Sequence, residues 1–144
     1  MKIVKTKKSH LKGLLSVGKE NWTYEKWLTK RFLSNTLESK GIHITALSGK
    51  RVVGGIMVLE LDRPKFWIFF FAVAKDMQRK GIGTALLRKA GSGVSKNCFL
   101  FVDLTYNDKS GIKFYKKNGF RDMGKVKNWF ESGKTGVMLA KKMG

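Results

Sequence analysis

Phe69-Phe70-Phe71-Ala72-Val73-Ala74-Lys75-Asp76-Met77-Gln78-Arg79-Lys80-Gly81-Ile82-Gly83-Thr84-Ala85-Leu86-Leu87 is the stretch that decides the fold. An apolar run passes into a polar turn, and glycines stand where helical spacing begins. The run from Phe66 to Ala74 is nine residues, too short to span a membrane and the right length for a buried strand. Gly81 to Ala90 reads as a helix with Ala85, Leu86 and Ala90 on its inner face, and Gly91 and Gly93 are expected to end it early. Gly81 and Gly83 carry no Cβ, so a bulky anion can reach the backbone amides. Those amides are the unpaired donors of a helix N-terminus, where the dipole favours negative charge. Arg79, Lys80, Gly81, Ile82, Gly83 and Thr84 are therefore expected to cradle a diphosphate; the plain alternative is that the glycines only make a tight turn. Two other phosphate motifs are excluded. There is no G-x-x-x-x-G-K-[ST] loop, and the dinucleotide fingerprint needs a third glycine and a later acid that are missing.

Outward from this segment the apolar spacing lays out the rest. Toward the N-terminus, Met1 to Lys5 reads as a strand, and Leu11, Leu14 and Leu15 mark a short helix that Gly18 should end. A second helix is expected from a Thr23 cap, with Glu25 in its first turn, through Tyr24, Trp27, Leu28 and Phe32 to a stop at Gly41. Ile42 to Leu47 alternates as a strand, and Ser48-Gly49-Lys50-Arg51 turns it into Val52 to Leu61. Gly54-Gly55 inside that strand predicts a bulge or a close backbone approach. Toward the C-terminus come a strand over Asn97 to Leu104, a helix over Lys109 to Asn118, and strands over Phe120 to Val126 and Thr135 to Ala140. Strand, helix, strand, helix in succession implies a parallel pair inside an otherwise antiparallel sheet. The expected fold is a mixed α/β domain spanning 1–144, with about seven strands and four helices.

Composition bounds the partners. In 144 residues, 30 Lys and Arg against 10 Asp and Glu leave a net charge of +20. One Cys (Cys98) and two His (His10, His43) exclude a disulfide framework and argue against a metal site. No signal or membrane segment is recognisable, so a cytoplasmic protein is expected. The charge favours polyanions, yet no basic run exceeds two residues and only six of the thirty basic residues are Arg. A solvated Lys-rich surface and a field that gathers a polyanionic ligand both fit.

The motifs narrow this further. Gln78-x-x-Gly81-x-Gly83 after a strand ending in Ala72-Val73 resembles the acetyl-CoA motif of the GNAT superfamily of N-acetyltransferases. Phe114-Tyr115-Lys116-Lys117-Asn118-Gly119-Phe120 resembles that family's second signature, an aromatic-Tyr-x-x-x-Gly-Phe at the last helix. The resemblance implies direct transfer of an acetyl group from acetyl-CoA to an amine. By position, the backbones of Phe71, Ala72 and Val73 would pair with the pantetheine arm, and Arg79 to Thr84 would hold the diphosphate. The strands holding Val73 and Val102 would splay to admit the cofactor. Tyr115 stands at the family's general-acid position, or is simply a core aromatic.

The base is less determined. The strand before the cofactor motif holds no acid, whereas Asp103 stands twelve residues before Tyr115, where the ribosomal-protein N-terminal acetyltransferase branch places a Glu. Asp103 as base and Asp103 as a structural carboxylate stand level, with Glu60, Asp62 or relayed water in reserve. The family's cofactor-contacting Asn would fall on Asp108; Asn107 serves after a one-residue shift, or the two residues only cap the helix. The acceptor side should gather Trp22, Tyr24, Trp27, Asn128, Trp129, Phe130 and Glu131, and its amine is a peptide or protein N-terminus, a lysine, a small amine or an aminoacyl-tRNA. A homodimer is an expected assembly for such a domain. Two other functions stay open: a non-enzymatic nucleic-acid-binding domain, and an acyl-CoA sensor without transfer.

Overall fold

The computed structural model describes residues 1–22 and 26–144. Among the described residues seven strands form near the expected places: β1 (Lys2–Lys5), β2 (Gly41–Ser48), β3 (Arg51–Glu60), β4 (Lys65–Val73), β5 (Phe99–Thr105), β6 (Arg121–Val126) and β7 (Gly136–Lys142). Four α-helices occur among the described residues: α1 (Leu11–Asn21), α2 (Lys30–Glu38), α3 (Ile82–Ser92) and α4 (Lys109–Lys117). The sheet order is β1-β2-β3-β4-β5-β7-β6. The pairs β1–β2, β2–β3, β5–β7 and β6–β7 are antiparallel, and β4–β5, joined through α3, is parallel. The expected mixed sheet with one parallel pair and four helices is the observed one. The parallel ladder is short, matching Lys65 with Phe99, Phe66 with Leu100 and Trp67 with Phe101.

The residues gather into two compact units, Met1–Glu60 with Phe69–Gly93, and Leu61–Ile68 with Val94–Gly144. β4 runs from the second into the first. In the first unit Leu11, Leu14, Val17, Leu28, Leu33, Met57, Phe70, Ala72 and Ala74 form the core. The twin glycines of β3 serve both of their predicted ends. Ala46 pairs with Gly54 but Leu47 with Val52, so Val53 is the extra residue of a bulge. A Cβ on Gly55 would collide with the Leu14 side chain, and one on Gly54 would stand 3.0 Å from the Ala72 carbonyl oxygen. Leu14 of α1 thus seats directly on β3 backbone, and truncating it to Ala should cost roughly 2–5 kcal/mol.

In the second unit Phe66, Ile68, Leu100, Val102, Tyr115, Phe120, Val137 and Leu139 are buried. α4 is held at both ends, by Asp108 at its start and by Asn118 and Gly119 at its stop. No helix among the described residues is long and apolar enough to cross a membrane.

Three helix boundaries differ from expectation. Gly18 does not end α1, which runs to Asn21; a Cβ there would lie 2.9 Å from Leu28 Cδ2 and 3.0 Å from Phe70 Cε2, so this glycine makes room for packing. Gly91 likewise lies buried inside α3, and Gly93 is the residue that caps its end. The second helix begins at Lys30, where the Thr29 hydroxyl accepts from the Phe32 N–H at 3.1 Å, and it stops at Glu38 before Gly41 opens β2. Trp27 and Leu28 precede it, and the expected Thr23 cap, with Tyr24 and Glu25, lies outside the described residues. At Gly18 tertiary contact outweighs local propensity, and at α2 the Thr29 cap sets the start.

Candidate functional site

In the first unit, β4 delivers the chain at Val73 into a short 3-10 turn, Lys75–Met77, and then to the start of α3. Gly81 is the N-cap, with φ 84° and ψ 2°, and no side-chain cap hydrogen bond is found there among the described residues. The first intrahelical bond runs from the Ala85 N–H to the Gly81 carbonyl at 3.0 Å. The N–H groups of Ile82, Gly83 and Thr84 therefore have no partner within the helix. Arg79 is also left-handed, at φ 62°, while Lys80 between them is not. This alternation turns successive N–H groups toward one side, the backbone pattern of an anion-binding nest. A non-glycine residue at positive φ is uncommon. Arg79, Lys80 and Gly81 are exposed, and nothing lies within 4 Å of a Cβ built on Gly81. All six residues expected in the cradle thus fall on one exposed turn and one open helix end.

Four side chains anchor that turn, and sequence reasoning missed three of them, Arg51, Glu20 and Asn21. Arg51 forms a fork to Asp76, Nη1 to Oδ2 at 2.8 Å and Nη2 to Oδ1 at 2.7 Å. These hydrogen bonds hold the Asp76 carboxyl below its ordinary range and raise the Arg51 guanidinium. Glu20 Oε1 accepts from the Lys75 N–H at 3.0 Å. Asn21 Nδ2 and Gln78 Nε2 both donate to the Val73 carbonyl, at 3.1 and 3.0 Å, and Gln78 Nε2 also donates to Asn21 Oδ1 at 3.1 Å. The partners lie 25 to 57 residues away in sequence, apart from Gln78 with Val73. Only Gln78 carried a local signal, as the first residue of its motif. Phe71 and Val73 are half-buried and Ala72 is buried. The Ala74 N–H bonds to Val53 of β3 at 2.8 Å, so by the alternation of a strand the Val73 N–H faces away from β3.

In the second unit Tyr115 is a buried residue of α4, packed edge-on to Phe114 and Phe120 at 5.4 and 5.1 Å between ring centres. Burial, with smaller contributions from Asp108 and Asp103, pushes its phenol well above the ordinary tyrosine range. Asp108, not Asn107, caps α4: its Oδ1 accepts from the Gly111 N–H at 3.0 Å. Asn107 lies exposed in the turn before it. Asp103 projects from β5 and accepts two indole hydrogen bonds, Trp67 Nε1 to Oδ1 at 2.9 Å and Trp129 Nε1 to Oδ2 at 2.8 Å. The reserve carboxylates are held as well, Glu60 by Lys40 at 2.7 Å and Asp62 by Lys65 at 3.2 Å.

The residues expected on the acceptor side divide between the units. Trp22 and Trp27 pack together at 5.9 Å in the first, and Asn128, Trp129, Phe130 and Glu131 form the loop between β6 and β7 in the second.

A strand, a nest-like turn and a helix start without a side-chain cap among the described residues thus stand within a mixed seven-stranded sheet. The model of the acetyltransferase (GNAT) domain matches residues 39–122, and the chain belongs to that family. It is 31% identical over 122 residues to an uncharacterized N-acetyltransferase of Methanocaldococcus jannaschii, a match covering 77% of this chain and 50% of that protein. The chain thus spans about half the length of that curated relative. Its fold is similar to the crystal structure of Ard1 from Thermoplasma volcanium, with TM-score 0.88 and 18% identity over 99% of this chain and 97% of that one. The ribosomal-protein-S18-alanine N-acetyltransferase from Escherichia coli is also similar, with TM-score 0.84 and 16% identity over 99% and 95%.

Proposed function

We propose that this chain moves an acetyl group from acetyl-CoA to a primary amine, with a peptide or protein N-terminus as the preferred acceptor. The N-terminus of α3 carries the proposal: its first amides are uncapped beneath an exposed, basic, alternately handed turn. A diphosphate brings the charge and the acceptor lone pairs that such an end lacks. Arg79, Lys80, Gly81, Ile82, Gly83 and Thr84 hold it through main-chain amides, and the two basic side chains add charge. Phe71, Ala72 and Val73 offer main-chain groups to the pantetheine arm. Because Asn21 and Gln78 occupy the Val73 carbonyl, the Val73 N–H is the group assigned to the thioester carbonyl, where it stabilises the oxyanion of the addition step. Asp108 caps α4, which leaves Asn107 for the cofactor contact.

Tyr115 is assigned as the acid on its place in the family's second signature. The amine nitrogen bonds to the thioester carbon, the C–S bond breaks, and the thiolate takes the phenolic proton. Water takes the proton of the amine, and solvent returns one to the phenol. Burial keeps Tyr115 protonated at every working pH, although release then costs more than from an exposed phenol of pKa about 10. An aromatic loop holding Trp129 and Phe130, together with the peptide acceptor named for the Escherichia coli enzyme of the same fold, supports a peptide amine. Aminoacyl-tRNA is the acceptor that the net charge of +20 would suit.

Calorimetric titration with acetyl-CoA at moderate salt, with Gly83→Glu as control, tests the proposal. Saturable one-site binding that the variant loses, followed by acetylation of free-amine peptides or aminoacyl-tRNA, supports it. Binding that fades with salt and ignores Gly83 would replace it with a nucleic-acid-binding domain. Cofactor binding with no acceptor in a broad amine panel would leave a sensor.

A further inference from the structure

We infer that Asp103 is a positioning residue: it latches the β6–β7 loop, 127–135, through the Trp129 indole and does not serve as the proton acceptor. Its role in acceptor binding rests on the transferase function proposed above; the latch itself does not. The geometry begins on β5, where Phe101 and Asp103 lie two apart and so share one face. Trp67, register partner of Phe101 on β4, stacks on it at 5.7 Å and 11°. That stack presents the Trp67 indole N–H to Asp103 Oδ1 at 2.9 Å. The Trp129 indole N–H reaches the second oxygen, Oδ2, at 2.8 Å. Each carboxylate oxygen thus accepts one charge-assisted bond, of the stronger kind.

Trp129 is placed to transmit this hold. A Cβ on Gly136 would lie 2.6 Å from Trp129 Cδ1 and 2.8 Å from Cγ, so the indole lies against bare backbone at the start of β7. The loop beyond closes on itself, with the Gly133 N–H on the Phe130 carbonyl at 2.8 Å and the Phe130 N–H on the Lys134 carbonyl at 3.3 Å. Fixing one ring therefore fixes a preformed turn. Trp129 is nevertheless 45% exposed, so its free edge can meet a ligand while its N–H is held. Each oxygen is committed to one indole, so the two rings together set the carboxylate's orientation. A carboxylate suits the task because it is acceptor-only: an amide at this position would aim an NH2 at one of two indole donors.

The test uses the whole chain labelled with 15N-tryptophan, together with limited trypsin digestion at Lys127 and Lys134. In the native protein two of the four indole N–H resonances, those of Trp67 and Trp129, should lie at low field and both loop lysines should resist cleavage. Asp103→Asn should move one or both resonances upfield and speed cleavage about tenfold or more, as loss of a charged hydrogen bond implies. Asp103→Glu should restore both features, and Trp129→Phe should speed cleavage without disturbing the Trp67 resonance. Unchanged indole resonances in Asp103→Asn, with unchanged cleavage in both Asp103→Asn and Trp129→Phe, would overturn the latch.

Kinetics with acetyl-CoA and a free-amine octapeptide separate the roles. A latch raises the peptide KM severalfold in Asp103→Asn and leaves the pH profile of kcat in place. A collapsed kcat with a displaced profile would make Asp103 the base and overturn the inference. If the native protein binds no acetyl-CoA the transferase proposal fails, and the resonances still decide the latch.

Discussion

The helices α3 and α4 each follow a strand and a short turn, and their first turns are built in opposite ways. At α4, Asp108 turns its carboxylate onto the Gly111 N–H and packs into the end, so that a Cβ on Gly111 would collide with it. At α3, Gly81 offers no side chain, and Ile82, Gly83 and Thr84 have no partner within the helix. A capping side chain typically contributes about 1 kcal/mol to a helix. An end that forgoes it, while Arg79 sits at positive φ beside it, is less stable than it could be. The surroundings hold it in that state: Arg51 grips Asp76, Glu20 grips Lys75, and Asn21 with Gln78 grips Val73. A closed end serves the fold; an open, braced end is what an incoming anion requires.

Filling the open end should have the largest effect. Gly83→Glu places a carboxylate among the orphan amides, and acetyl-CoA affinity should fall about 100-fold or more by calorimetry, because the side chain competes for the donors and repels the diphosphate. The same charge at the closed end, as Ser110→Glu, should leave that affinity unchanged and raise stability by at most about 1 kcal/mol through the helix dipole. Equal losses in the two variants would contradict the distinction.

Tyr115→Phe asks whether α4 serves chemistry where α3 serves binding. It should lower kcat about 100-fold with acetyl-CoA affinity intact. The buried phenol also has a signature of its own. Its folded pKa is raised, so above about pH 10 the unfolded chain gives up a proton that the native chain keeps, and stability should fall as pH rises. Spectrophotometric titration in alkali should show Tyr115 ionising only as the protein unfolds.

Removing the cap of α4 should have a smaller effect. Asp108→Ala should cost about 1 kcal/mol in a denaturant melt and leave acetyl-CoA affinity unchanged. Smallest is the brace at the open end. Arg51→Ala should lower the melting temperature slightly at pH 6, because the pair is exposed and screened. Asp76 has a depressed folded pKa, so its pairing is complete above the ordinary value of 3.8 and is lost as pH falls through the folded one. The gap between native and variant protein should therefore close in acid. A gap that persists there would show Arg51 acting through packing and not through Asp76.

Particular residues show what was legible. Gly81 and Gly83 announced an approachable helix start, and the Phe66–Ala74 run announced a buried strand, because backbone conformation and apolar periodicity are written in neighbouring residues. Thr29 was missed as a cap because a second Thr, outside the described residues, preceded a similar apolar spacing. Gly18 and Gly91 were misread as stops because a glycine looks alike whether it frees a dihedral or clears room for a neighbour; here Leu28 and Phe70 claim the space at Gly18. Asp103 was visible as a lone carboxylate of open role. Its two indole partners, 36 and 26 residues away, were not.

By itself the sequence determined the strand and helix types, the mixed sheet with a parallel pair, the family, and the glycine-flanked turn that opens α3. The elements follow from local periodicity, the turn from what glycine permits at one position, and the family from the resemblance of two motifs. Only the tertiary structure decided that Asp108 closes α4, that Glu20, Asn21 and Arg51 brace the turn before α3, and that two tryptophans hold Asp103. Those contacts join residues far apart in the chain, and their energies depend on distance and burial, which no local pattern records.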